Sequence, residues 1–239
     1  MTYHNIITDP DALREFVEWL PKTTMNERYL VHLQARKKYA PDLGLNNLSH
    51  IESFVCDKRS MENRIRRLEV QVGCYQTRAG DTIPDRALAL YITPNPRDMR
   101  KASIACAKSF VDSVTNSGKE RFRPHAEVLS LIHKSKSRSV FVHFDIDREG
   151  DADVGNTAKD STPIEEVKTI VEGIVGAEAL TVVETRGGMH LLIEPSLVQS
   201  DRKDWHKVIT KSFNVDQRGD IMLPVVGCNQ GGYTPTFFR

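Results

Sequence analysis

Apolar and polar residues alternate from Ser139 to Asp147, with Val140, Val142, Phe144 and Ile146 on one side and Phe141, His143, Asp145 and Asp147 on the other. A period of two is that of a β-strand, whose side chains point alternately to opposite faces. Other strand patterns lie at Val70–Tyr75, at the continuous apolar run Ala87–Thr93, at Leu180–Thr185 and at Met189–Glu194, the last two joined by the tight turn Arg186-Gly187-Gly188 as a hairpin. A final strand is expected within 216–227, ahead of the Gly-rich stretch that ends at Gly231-Gly232.

Helical spacing appears elsewhere. Asp9-Pro10 opens a helix with Leu13, Phe16, Val17 and Leu20 on its apolar side, and Pro21 closes it. A second helix is expected from about Asn26 to Tyr39, with Arg36-Lys37-Lys38 at its end, where a cationic run suits the helix dipole and a solvated surface. A third helix, or a helix pair, covers Ser49 to Leu68, and its arginines form a second local basic surface. Pro94-Asn95-Pro96-Arg97 is a stiff turn feeding a helix from Asp98 to about Thr115, which Ser117-Gly118 breaks, and a shorter helix spans Pro124 to His133. Gly150 to Ser161 is a polar loop. Thr162-Pro163-Ile164-Glu165 has the form of a capping box before a stripe of Ile164, Val167, Ile170, Val171 and Ile174, and a last helix runs from about Asp201 to Phe213. The order of elements predicts an α+β fold: a helical N-terminal region over 1–84, then a core over 85–239 built on a mostly antiparallel sheet covered by helices.

Bulk composition changes this picture little. The 239 residues carry 33 Lys and Arg against 32 Asp and Glu, a net charge of +1, so a polyanionic partner would need a local basic groove. Cys56, Cys74, Cys106 and Cys228 show no C-x-x-C spacing, which argues against a zinc module and for reduced thiols in a cytoplasm. No window approaches a membrane span, and Met1 to Pro10 lacks the pattern of a secretory signal.

The chemistry concentrates on the alternating strand. Asp145 and Asp147 stand about 7 Å apart at their Cα atoms on one face. An Asp-x-Asp at a strand end is often only a turn signal, yet Asp145 lies inside the alternating run, against its β-propensity. Two-metal nucleotidyl transfer needs clustered carboxylates that hold two ions about 4 Å apart. Asp145 and Asp147 suit it, with Asp220 or Asp216 as the third acid. Arg186, the backbone around Gly187-Gly188 and His190 have the chemistry to neutralise a triphosphate.

Phe144-Asp145-Ile146-Asp147, Gly188-Met189-His190, a later apolar residue followed by an acid, and the turn from Pro224 to Gly232 together resemble the archaeo-eukaryotic primase superfamily, in the compact catalytic cores carried by viruses and plasmids. Asn95-Pro96-Arg97 is similar to a turn found before the acidic strand in viral members. The resemblance covers roughly Leu88 to Tyr233. It implies an RRM-like palm sheet joined to an αβ unit, and template-dependent joining of NTPs or dNTPs on single-stranded DNA. Asp145, Asp147 and Asp220 would hold Mg²⁺ or Mn²⁺. His190, Arg186 and Gly188 would form the nucleotide site, and Arg97 would reach the triphosphate or template. His143 would line the site or support it. No helicase or zinc module is visible, so either a separate helicase or replication protein or the N-terminal helices would supply those functions, in the cytoplasm of a host cell. Two rival classes stay open. One is a metal-dependent nuclease or nickase, for which Tyr39 and Tyr29 are the candidate nucleophiles, and the other is a silent nucleic-acid-binding module.

Overall fold

A computed structural model describes residues 1–46, 49–115, 123–147, 163–199 and 203–239. Helix α1 (Pro10–Trp19) starts where expected, because the Asp9 carboxylate accepts from the amides of Asp11 and Ala12. The expected second helix is instead strand β1 (Glu27–Ala35), followed by a single 3-10 turn over Lys37–Tyr39. Leu30 and Leu33 fit a helical stripe, but the unbroken run Tyr29-Leu30-Val31 is buried on both sides of a sheet, a case in which spacing alone does not separate helix from strand. Likewise only the second part of 49–68 is helical: β2 (Ser49–Cys56) precedes α2 (Lys58–Arg66), which Asp57 caps. The stretch 70–75 makes one isolated bridge, from Gln71 to Tyr3, rather than a strand.

The chain continues as β3 (Leu88–Ile92), β4 (Arg97–Asp98), α3 (Met99–Thr115), α4 (Pro124–Lys134) and β5 (Val142–Asp147). It ends with α5 (Ile164–Val175), β6 (Leu180–Thr185), β7 (Gly188–Ile193), α6 (Trp205–Ser212), β8 (Val215–Gly219), β9 (Leu223–Pro224) and β10 (Thr236–Phe238). Pro163, rather than a threonine, occupies the N-cap of α5; Thr162, Ser117, Gly118 and the expected 150–161 loop lie outside the described residues.

Two antiparallel sheets result, so the α+β class holds. The first has the order β2-β1-β3-β9, with β4 pairing on β1. The second has the order β10-β6-β7-β5-β8. From β5 to β8 the elements run β-α-β-β-α-β, and α5 and α6 bury Val167, Val171 and Ile209 against Phe144, Ile146, Leu191 and Ile193 on one face of that sheet. The other face contributes Phe141, Val183 and Leu192 to the larger core shared with the first sheet, α1 and α2.

Residues 1–84 therefore do not form a separate helical layer. They supply β1 and β2 to the sheet that also holds β3 and β9, and the C-terminal segment crosses from β8 to β9 and back to β10. Gly227 fastens this segment to α1. Its carbonyl accepts from the amides of Thr8 and Asp9 at 3.0 and 2.9 Å, and its φ is +78°, with a Cβ there lying 2.5 Å from the Asp9 carbonyl oxygen and against the Leu13 amide. Both the left-handed backbone and the missing space require glycine. Gly227→Ala is expected to lower stability by about 3 kcal/mol in urea unfolding, from backbone strain plus overpacking; a loss under about 1 kcal/mol would show that α1 yields freely.

Candidate functional site

The strand β5 delivers its two faces to different environments, as its alternation requires. Phe144 and Ile146 enter the core under α5 and α6. Asp145 points the other way and stands opposite His190 on β7, while Asp147 stands opposite Gly188. The hairpin turn Arg186-Gly187 sets that register, because Thr185 pairs with Gly188 and Val183 with His190. His190 Nδ1 lies 3.5 Å from Asp145 Oδ1 and 2.7 Å from His143 Nε2. Both histidines are buried. Burial pushes His143 well below the usual histidine range; burial and then the positive charge of Lys38 push His190 down to about 3, so both rings are neutral.

On its other edge β5 pairs with β8. Asp145 opposes Gln217 and Ile146 opposes Val215, so Asp216 is the extra residue of a bulge beside the Asp-x-Asp. Such a bulge re-aims a side chain at a sheet edge. The Asp216 charge acts on Asp145, whose carboxyl is raised to about 6, first by burial and second by Asp216, with Lys38 and Arg36 opposing.

This has a definite pH consequence. An acid whose folded pKa lies above its unfolded value of 3.8 adds stability below pH 3.8 and loses it as pH rises through 6. In metal-free buffer, Asp145→Asn is therefore expected to exceed the wild type in stability by up to about 3 kcal/mol at pH 7, the difference shrinking to nothing near pH 3. Denaturant midpoints of the two proteins across this range check it; a constant difference would contradict the shifted carboxyl.

The cations come from sheet ends. Arg36 and Lys38 follow β1, and Arg186 sits in the β6–β7 turn. Arg36 Nη1 donates to the Tyr91 hydroxyl at 2.7 Å, while the Arg186 guanidinium lies over the Tyr39 ring, 4.6 Å from its centroid. The Arg186 amide donates to Gln230 Oε1 and its Nη1 to the Gly231 carbonyl. Gly231 has φ +64°, and a Cβ there would lie 2.5 Å from the Tyr39 ring and 2.6 Å from Arg186 Nη1. The Gly-rich C-terminal turn thus packs beneath the cation. Arg36 and Lys38 were legible only as a solvated helix end. Read as residues following a strand, the same run would have stood where sites concentrate.

The two late acids part company. Asp220 accepts from Asn95 Nδ2 at 3.1 Å and from both Nη atoms of Arg97. Arg97 is 0 % exposed, and its Nη1 also donates to the His133 carbonyl. This pair closes a structural joint between the turn after β3 and the segment after β8, in which the side chains of Arg97 and Asp220 are already engaged. Asp216 is the late acid that faces Asp145 electrostatically. Among the described residues no three His, Cys, Asp or Glu side chains form a ready-made metal cluster, and no helix is long and apolar enough to cross a membrane. Comparison with protein-family models, curated proteins and solved structures returns no match.

Proposed function

We propose that the chain is a template-dependent nucleotidyltransferase of the primase-polymerase class, acting on single-stranded DNA and nucleoside triphosphates. The observation that carries this is the meeting, on one face of a β-α-β-β-α-β sheet, of Asp145 with His190 by strand register and with Asp216 by the bulge, under the influence of Lys38 and Arg36. That element order also supports an RRM-like palm, with the first sheet as the αβ unit.

The donor set fits Mg²⁺ or Mn²⁺: two neighbouring carboxylates, one with its pKa raised by burial and by the other, gain most from a hard divalent cation with oxygen preference. Asp145 and Asp216 would hold it, with Asp147 one pleat along β5. When bound, such ions activate an attacking hydroxyl and stabilise leaving pyrophosphate. Arg186, Lys38 and Arg36 offer charge for the triphosphate, and the sheet fixes the acids without loop rearrangement.

The nickase alternative loses its nucleophiles. The Tyr29 hydroxyl is buried and donates to the Pro21 carbonyl at 2.6 Å, and Tyr39 is packed beneath Arg186. The deciding experiment incubates the protein with primed and unprimed single-stranded DNA, labelled nucleotides and Mn²⁺. Products longer than the input support transfer, shorter ones support a nuclease, and a mobility shift without products supports a binding module.

A further inference from the structure

A second group of titratable side chains lies on the outer face of the first sheet. Helices α3 and α4 pack on Leu30 and Val55 of that face, whereas His32, the next residue of β1 on the same side, is only half-buried. His32 stands opposite Ser53 on β2 and Leu33 opposite Glu52, but Gln34 stands opposite His50, so Ile51 is the extra residue of a bulge. In a regular strand His50 and Ser53 would point to opposite faces. The bulge turns His50 to the side of Ser53, as bulges do where a side chain is re-aimed. As a result His32 Nδ1 and His50 Nε2 both bond the Ser53 hydroxyl oxygen, the latter at 2.5 Å. One hydroxyl carries one proton, so it donates to one ring and accepts from the other. Two imidazole nitrogens from different strands are thus aimed at one point.

A third ring stands beside them. The His50 centroid lies 6.0 Å from that of His32 and 6.0 Å from that of His125, on the first turn of α4. Imidazoles that share a zinc ion, each with a nitrogen about 2 Å from it, have their centroids about 5–6 Å apart. Burial, then the charges of His50 and His133, holds His32 down to about 4, and burial, then His125, lowers His50 against the opposing charge of Glu52. Both rings are therefore neutral at pH 7, the form that binds a metal.

We propose that His32, His50 and His125 form a binding site for an imidazole-preferring transition ion such as Zn²⁺, with Ser53 or water in the fourth position, which ties β1, β2 and α4 together. His32 Nδ1 and His50 Nε2 are the ligating atoms, since they already converge. His125 is exposed and closes the set by turning its ring, so the ion completes the cluster, which is not ready-made without it. Three imidazoles without a carboxylate select Zn²⁺ over Mg²⁺ or Mn²⁺, so this site does not compete for the ions of the Asp145–Asp216 pair. The inference stands apart from the nucleotidyltransferase reading.

Zn²⁺ titration by calorimetry at pH 7 tests it, on the wild type and on the Asp145→Asn/Asp216→Asn protein, which lacks the carboxylate pair. One site of about micromolar affinity is expected in both. His50→Gln and His125→Gln, at exposed positions, should keep the fold by circular dichroism and each weaken binding at least about tenfold. Co²⁺ should bind with the intense visible absorption of a tetrahedral ion, lost in His50→Gln. Zn²⁺ should also raise the unfolding temperature of the wild type but not of the histidine variants, because an ion held only by the folded state stabilises it. Binding that survives His50→Gln or His125→Gln, or that disappears with the two aspartates, overturns the proposal, as does a six-coordinate Co²⁺ spectrum. Failure of primer extension by a protein that still binds Zn²⁺ in this way counts against the transferase reading alone.

Discussion

Asp145→Asn is expected to reduce primer extension by at least about 1000-fold while leaving the fold no less stable than the wild type. The rate loss follows from the charge. A metal-centred site supplies several kcal/mol of transition-state stabilisation, and each 1.36 kcal/mol is a factor of ten. Asparagine keeps the shape but removes the anion that Asp145 contributes beside Asp216. Stability moves the other way, because the wild-type carboxylate is three-quarters buried and repelled by Asp216. Asp216→Asn should lose activity in the same direction without lowering stability, because its side chain is exposed, with no buried contact to lose, and its repulsion of Asp145 is relieved. Extension assays and urea unfolding on the same preparations separate the two effects. Retained activity in Asp145→Asn would sink the proposed site, and loss of both activity and fold would mark Asp145 as structural.

Asp220→Ala should behave in the opposite way, with a loss of about 3–5 kcal/mol in folding stability. Removing one partner of a buried ion pair leaves the other charge uncompensated, and here the orphan is Arg97, fully buried with Nε already lacking a partner. Asp220 itself keeps 23 % side-chain exposure, but the penalty falls on the arginine. Asn95 would lose one of its contacts as well; its Oδ1 holds the amides of Val140 and Phe141 just before β5. Any fall in activity should therefore track unfolding. The double variant Arg97→Met with Asp220→Ala should recover much of the stability, because an apolar side chain of similar volume replaces the pair. A stable but inactive Asp220→Ala would return Asp220 to the ligand set.

The sequence by itself determined the elements whose cues are local. Asp9-Pro10 starts α1, the Ile164, Val167 and Val171 spacing makes α5, and Arg186-Gly187 closes the β6–β7 hairpin. Alternation also put Asp145 and His143 on one side of β5, because side-chain direction within a strand follows from parity alone, but only the β5–β7 register placed His190 beside them. Only the tertiary structure decided the rest. Tyr29-Leu30-Val31 satisfies either period until β2 and β3 are seen to flank it, which turns the Arg36-Lys38 cations from a helix end into neighbours of Asp145. The choice between Asp216 and Asp220 depended on a bulge opposite Asp145 and on a buried arginine more than a hundred residues away in sequence. The physical reason is common to both cases: periodicity and capping act over a few residues, whereas register, bulges and charge pairing are fixed by contacts between distant segments, which no local pattern encodes.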